Sequence, residues 1–69
     1  MPIIEVHILE GRTVETKERL VREMTALVVD VLDSRPEAVR IIIDEMQPQN
    51  YAIAGESVSK RRATGKLKP

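Results

Sequence analysis

Along residues 2–9, Pro-Ile-Ile-Glu-Val-His-Ile-Leu, the side chains alternate with a period of two. Ile4, Val6 and Ile8 fall on one face, while Ile3, Glu5, His7 and Leu9 fall on the other, so the spacing predicts a β-strand. Glu10-Gly11-Arg12 breaks the pattern, with Gly11 free to take backbone angles closed to other residues. Thr13 is a candidate N-cap and Glu15 suits a first helical turn, although Thr16 stands where a reciprocal capping box would place Glu or Gln. The period then lengthens. Leu20, Met24, Leu27, Val28, Val31 and Leu32 recur at spacings of three and four, which predicts a helix from about Val14 to Leu32. Asp33-Ser34-Arg35-Pro36 ends it, because the residue before a proline is pushed out of helical space. From Ala38 to Met46 the alternation returns, with Val39, Ile41 and Ile43 against Arg40, Ile42 and Asp44, and predicts a second strand.

Strand, helix and strand with short links make a βαβ unit of the α/β class, its two strands parallel and joined by a right-handed crossover. A parallel sheet needs cover on both faces, and one helix covers only one. Ile3, Leu9 and Ile42 are left on the open face, so partner subunits are expected. After Gln47-Pro48-Gln49-Asn50, the segment Tyr51-Ala52-Ile53-Ala54-Gly55-Glu56 suits a short hairpin or a partner-docking arm. Residues 60–69 read as a frayed tail.

The chain has 69 residues, enough for one small domain. A domain of this size is marginal alone and usually relies on disulfides, a metal or oligomerisation. Cysteine is absent and His7 is the single histidine, which removes disulfides, thiolate chemistry and a His-rich metal site. Oligomerisation is the remaining device. No apolar run approaches the roughly 20 residues of a membrane-spanning helix. The N-terminus lacks the charged and apolar regions of a signal peptide, so a cytoplasmic protein is expected. Eleven acidic residues balance eleven basic ones. The balance is uneven: residues 1–59 hold six basic residues and all eleven acidic ones, a net −5, while residues 60–69 carry +5 through Lys60, Arg61, Arg62, Lys66 and Lys68. Tyr51 is the sole aromatic, too few for the stacking platforms of a single-strand nucleic-acid binder, so the basic tail reads as a solubilising one.

The chain has no phosphate-binding glycine loop, HExxH, CxxC or GxSxG motif. What stands out is Pro2, directly after the first methionine and opening straight into an apolar strand. On position alone this is a strand-edge proline with no N–H to waste. The wider pattern changes that. Pro2-Ile3-Ile4-Glu5-Val6-His7-Ile8-Leu9-Glu10-Gly11-Arg12 resembles the N-terminus of the 4-oxalocrotonate tautomerase family. So do Lys17-Glu18, Leu20-Val21-Arg22-Glu23, and later Val39-Arg40-Ile41-Ile42-Ile43 with Glu45-Met46, in one register from Pro2 to about Arg62.

The resemblance implies a single domain over residues 1–62 with a basic tail over 63–69, and βαβ units that pair into dimers with a four-stranded sheet. Three such dimers make a hexamer. It also implies removal of Met1, so that Pro2 becomes an N-terminal secondary amine and serves as general base. That base takes a proton from a dienol such as 2-hydroxymuconate and returns it at a different carbon to give the conjugated ketone, as in aromatic-ring degradation. An apolar pocket and nearby arginines disfavour the charged amine, lowering its pKa toward the working range of a base. Arg12 and Arg40 match the family's two key arginines, whose planar forks suit the two carboxylates of the substrate. One would hold a terminal carboxylate, and the other would stabilise enolate-like charge beside the reacting carbons. Tyr51 matches an aromatic wall position that is usually phenylalanine, and Leu9 and Ile53 match further apolar wall positions. Ala38 stands where relatives carry serine, and Ala52 and Ala54 replace glycines; these departures bear on substrate preference. His7, beside Glu5 on one strand face, reads as structural. Cofactor, metal and membrane partner are not expected, and nucleic acid is not the expected partner.

Two alternatives remain. A hydratase or dehalogenase acting on unsaturated acids would want a carboxylate near Pro2 to activate water, where Leu9 and Ile53 are expected instead. A non-enzymatic oligomeric binding protein would have no use for Pro2, Arg12 and Arg40 together.

Overall fold

The computed structural model describes residues 1–65. Strand β1 spans Ile3–Leu9, helix α1 spans Val14–Leu32 and strand β2 spans Arg40–Met46. The Thr13 hydroxyl caps α1 by accepting from the Thr16 N–H at 3.1 Å. It also donates to the Thr16 hydroxyl at 2.9 Å, so Thr16 takes a place at the cap despite lacking a carboxylate. The helix stops at Asp33, which sits in the left-handed region at φ 53°. The strands are parallel, in a register that pairs Ile3 with Arg40, Val6 with Ile43 and Leu9 with Met46. Ile4, Val6, Ile8, Ile41 and Ile43 are half-buried beneath α1. A salt bridge of 2.9 Å from Lys17 of α1 to Glu45 of β2 ties helix to sheet on that side.

Two expected boundaries shift. Ala38 belongs to a 3₁₀ turn, Pro36–Ala38, rather than to the second strand, because Pro36 starts that turn and its carbonyl accepts from the Val39 N–H at 3.2 Å. The expected frayed tail is helical at its start. Helix α2 covers Val58–Ala63, capped by the Ser57 side chain, which accepts from the Lys60 N–H at 3.1 Å. Lys66 and Lys68 lie outside the described residues. The hairpin reading of residues 51–56 holds: β3, Ala52–Ile53, pairs antiparallel with β4, Glu56–Ser57. No helix among the described residues is long and apolar enough to cross a membrane.

The protomer is elongated and thinly packed. Its radius of gyration is 15.4 Å, against about 11 Å for a compact chain of this length. Its accessible surface is 5338 Å², against about 4,400 Å² expected for a folded monomer of this mass. Val58 is the one fully buried hydrophobic residue among those described, and it lies where α2 meets the hairpin arm. Ile3 and Ile42 are 60% and 50% exposed on the open sheet face. Along α1, Leu27, Val31 and Leu32 form a second apolar stripe with no cover in the protomer. The face left open by one helix is thus matched by an open flank of the helix itself.

The β3–β4 turn has two central residues, Ala54 at φ 52° and Gly55 at φ 82°. Both angles are positive, as the right-handed twist of a tight hairpin demands. Gly55 takes its angle freely, whereas Ala54 pays a Cβ clash of roughly 1–2 kcal/mol. Ala54→Gly is therefore expected to stabilise the folded state by up to about 1 kcal/mol once glycine's greater chain entropy is set against that strain. Denaturant unfolding of the two proteins at equal concentration checks this; a destabilised variant would show that the hairpin carries no such strain.

Candidate active site

The parallel ladder sorts the residues singled out by sequence into two groups. Pro2, Ala38 and Arg40 lie where the strands begin. The Arg40 N–H donates to the Pro2 carbonyl at 3.0 Å, which fixes the two backbones side by side. The Arg40 side chain projects from the sheet face away from α1, the face shared with Ile42 and Asp44. Its guanidinium donates to the Glu37 carbonyl, which belongs to the same turn as Ala38. That bond orients Arg40 without using a carboxylate. Pro2 is half-buried and Met1 is 78% exposed. While Met1 is attached, the Pro2 nitrogen is part of a planar peptide bond and has no basic lone pair.

Leu9, Arg12 and Tyr51 lie at the other end. They line an open hollow of about 450 Å³ together with His7, Ile8 and Met46. Gly11, at φ 124°, turns the chain so that Arg12 folds back on the strand end. There its Nη1 donates to the Leu9 carbonyl at 2.9 Å. Tyr51 follows the 3₁₀ turn Pro48–Asn50, and its carbonyl accepts from the buried Val58 N–H at 2.7 Å. Ile53 lies further along the arm, 37% exposed, and its carbonyl accepts from Arg61 Nε at 3.2 Å.

His7 is held between carboxylates on the open sheet face. Its Nδ1 is 2.9 Å from Asp44, its register partner, and its Nε2 is 3.6 Å from Glu5. This is the cross-strand pairing expected of a structural histidine. Glu56 of β4 is 3.9 Å from Arg61 of α2.

One protomer does not bring the candidate residues together. Pro2 and Leu9 are separated by seven residue steps of extended strand, about 23 Å at roughly 3.3 Å per residue. That is several times the length of a six-carbon diacid. Sequence reasoning identified the residues but not this division, which appears only once the strands are aligned in parallel. A larger groove of about 470 Å³ lies between α1 and β2, lined by Val14, Lys17, Val21 and Ile43 among others. It contains none of the candidate site residues.

A model of the family described as tautomerase enzyme matches residues 2–61. A 2-hydroxymuconate tautomerase of Pseudomonas putida is 47% identical over 62 residues, which are 90% of this chain and 98% of that protein. Among solved structures, a 4-oxalocrotonate tautomerase isozyme of Methylibium petroleiphilum superposes with a TM-score of 0.88 at 44% identity, covering 91% of this chain and 98% of that one. A heterohexamer 4-oxalocrotonate tautomerase of Chloroflexus aurantiacus gives a TM-score of 0.82 at 32% identity, covering 87% and 97%. Fold and relatives together define a small α/β enzyme of the isomerase type. Within that class, the chain belongs to the tautomerase family.

Proposed function

We propose that this tautomerase converts 2-hydroxymuconate, or a closely similar unsaturated 2-hydroxy diacid, to the conjugated 2-oxo acid, with Pro2 as the base once Met1 has been removed. The supporting observation is the backbone bond from the Arg40 N–H to the Pro2 carbonyl, which keeps the two residues together at one end of the sheet. The relatives of similar length named for this reaction give the substrate class. Freed of Met1, the Pro2 nitrogen takes the enol proton and returns a proton at another carbon of the conjugated system. No redox step arises and no cofactor is called for. Arg40 stabilises enolate charge at the reacting end. Arg12 holds the far carboxylate through its planar fork, and Leu9, Ile53 and Tyr51 form the wall.

The 23 Å separation means that the working site joins the Pro2 end of one copy to the Arg12 end of another. We assign the enzyme to the cytoplasm as a hexamer, a trimer of dimers, in which the open sheet face and the Leu27–Val31 stripe are covered by other copies. Residues 1–62 act as one domain.

Measured well below saturation, Pro2→Gly chains should be nearly inactive alone and Arg12→Ala chains weak. Unfolded together and refolded as a mixture, they should regain a fraction of wild-type activity, because some mixed sites unite an intact Pro2 with an intact Arg12 from another copy. A mixture no more active than its parts would place both residues in one chain's site. In the intact enzyme, Arg40→Ala should lower kcat and raise KM together, and Arg12→Ala should act mainly on KM, as read from steady-state ketonisation followed by ultraviolet absorbance.

The state of Met1 gives the sharpest test. Protein starting at Pro2 should be active, and protein retaining Met1 almost inert, when intact mass and activity are measured on the same sample. Full activity with Met1 retained would remove Pro2 from the mechanism.

A further inference from the structure

The hollow at the Arg12 end holds one donor that the proposed mechanism does not use. Of its lining residues, Ile8, Leu9 and Met46 are apolar and His7 is engaged by Asp44. Arg12 commits one N–H to the Leu9 carbonyl and has no carboxylate partner among the described residues. The Tyr51 hydroxyl likewise meets no hydrogen-bonding partner among them. Its backbone is anchored, because the Tyr51 carbonyl accepts from the N–H of Val58, the fully buried residue of the arm.

We propose that the Tyr51 hydroxyl and the Arg12 guanidinium grip the same far carboxylate of the substrate, which makes Tyr51 a determinant of selectivity for diacids over monoacids. This rests on the function proposed above. A carboxylate has about four lone-pair sites, so an arginine fork leaves room for a further donor. A phenol supplies that donor, and a phenylalanine in its place would supply only a wall. Ile8, Leu9 and Met46 lower the local polarity and so strengthen hydrogen bonds made in the hollow. When another copy closes over it, a hydroxyl without a partner loses its water, so a ligand that meets it is favoured over one that does not. A site built to hydrogen-bond a substrate group discriminates against the analogue that lacks the group.

The test compares wild type, Tyr51→Phe and Arg12→Ala on two dienols: 2-hydroxymuconate, and the same dienol with its far carboxylate replaced by hydrogen. Tyr51→Phe keeps the ring and the apolar wall. It is expected to lower kcat/KM for the diacid about tenfold, the scale of one hydrogen bond to a charged group, chiefly through KM. The diacid-to-monoacid ratio should fall with it, and Arg12→Ala should reduce that ratio as well. A Tyr51→Phe ratio equal to wild type overturns the proposal. So does an equal loss on both dienols, which would mean that the hydroxyl bonds to protein rather than to the carboxylate. If wild type turns over both dienols and only Arg12→Ala loses the diacid preference, the assignment of Tyr51 falls while the proposed function stands. If wild type turns over neither, both fall.

Discussion

The parallel pairing of β1 with β2 governs almost everything else in this chain. Antiparallel strands would have put the start of one beside the end of the other. The parallel ladder instead puts both starts at one end, with Pro2 bonded to Arg40, and both ends at the other, with Leu9 beside Met46. It also demands a crossover, and α1 is that crossover. A single helix cannot cover both faces of the sheet it crosses. The candidate residues are therefore divided between the two ends of the sheet, and the protomer's apolar surface is left half open.

The packing carries that incompleteness throughout. A chain that fully buries only Val58 among its described hydrophobic residues does not owe its stability to its own core. The half-buried row of Ile4, Val6, Ile8, Ile41 and Ile43 against α1 supplies one layer. The stripe of Leu27, Val31 and Leu32 and the pair Ile3 and Ile42 are surfaces for a second layer that the chain does not contain. Ile3 and Ile42 lie on the strands beside Pro2 and Arg40, whereas the second open surface lies on α1, which carries none of the candidate residues.

Much of this was legible in the residues. Period-two alternation located β1, period-three-and-four spacing located α1 to the residue, and Thr13 acted as the expected cap. Strand β2 was anticipated two residues too early, because Val39 continues the alternation of the strand while Pro36 imposes a 3₁₀ turn through Ala38. Helix α2 was missed because its six residues are too few to display a period, and its signal lies in the Ser57 cap. The candidate residues were named from resemblance, but their separation into two ends is a property of register. Register is a relation between strands far apart along the chain, and no local pattern states it.

That register places a quiet demand on the link from Asp33 to Val39. The link holds Ala38 and the Glu37 carbonyl that accepts from Arg40, and its left-handed residue, its proline and its single 3₁₀ turn also set how far β2 travels before it meets β1. Side chains alternate along a strand, so a slip of one residue would carry Arg40 to the helix side and Ile41 to the face that Arg40 now occupies. The ladder would still close and the helix would still cross. A link one residue longer or shorter would thus leave a recognisable fold with a hydrocarbon, not the Arg40 cation, on that sheet face. In this chain the length of a loop sets which side chain meets β1 at its start.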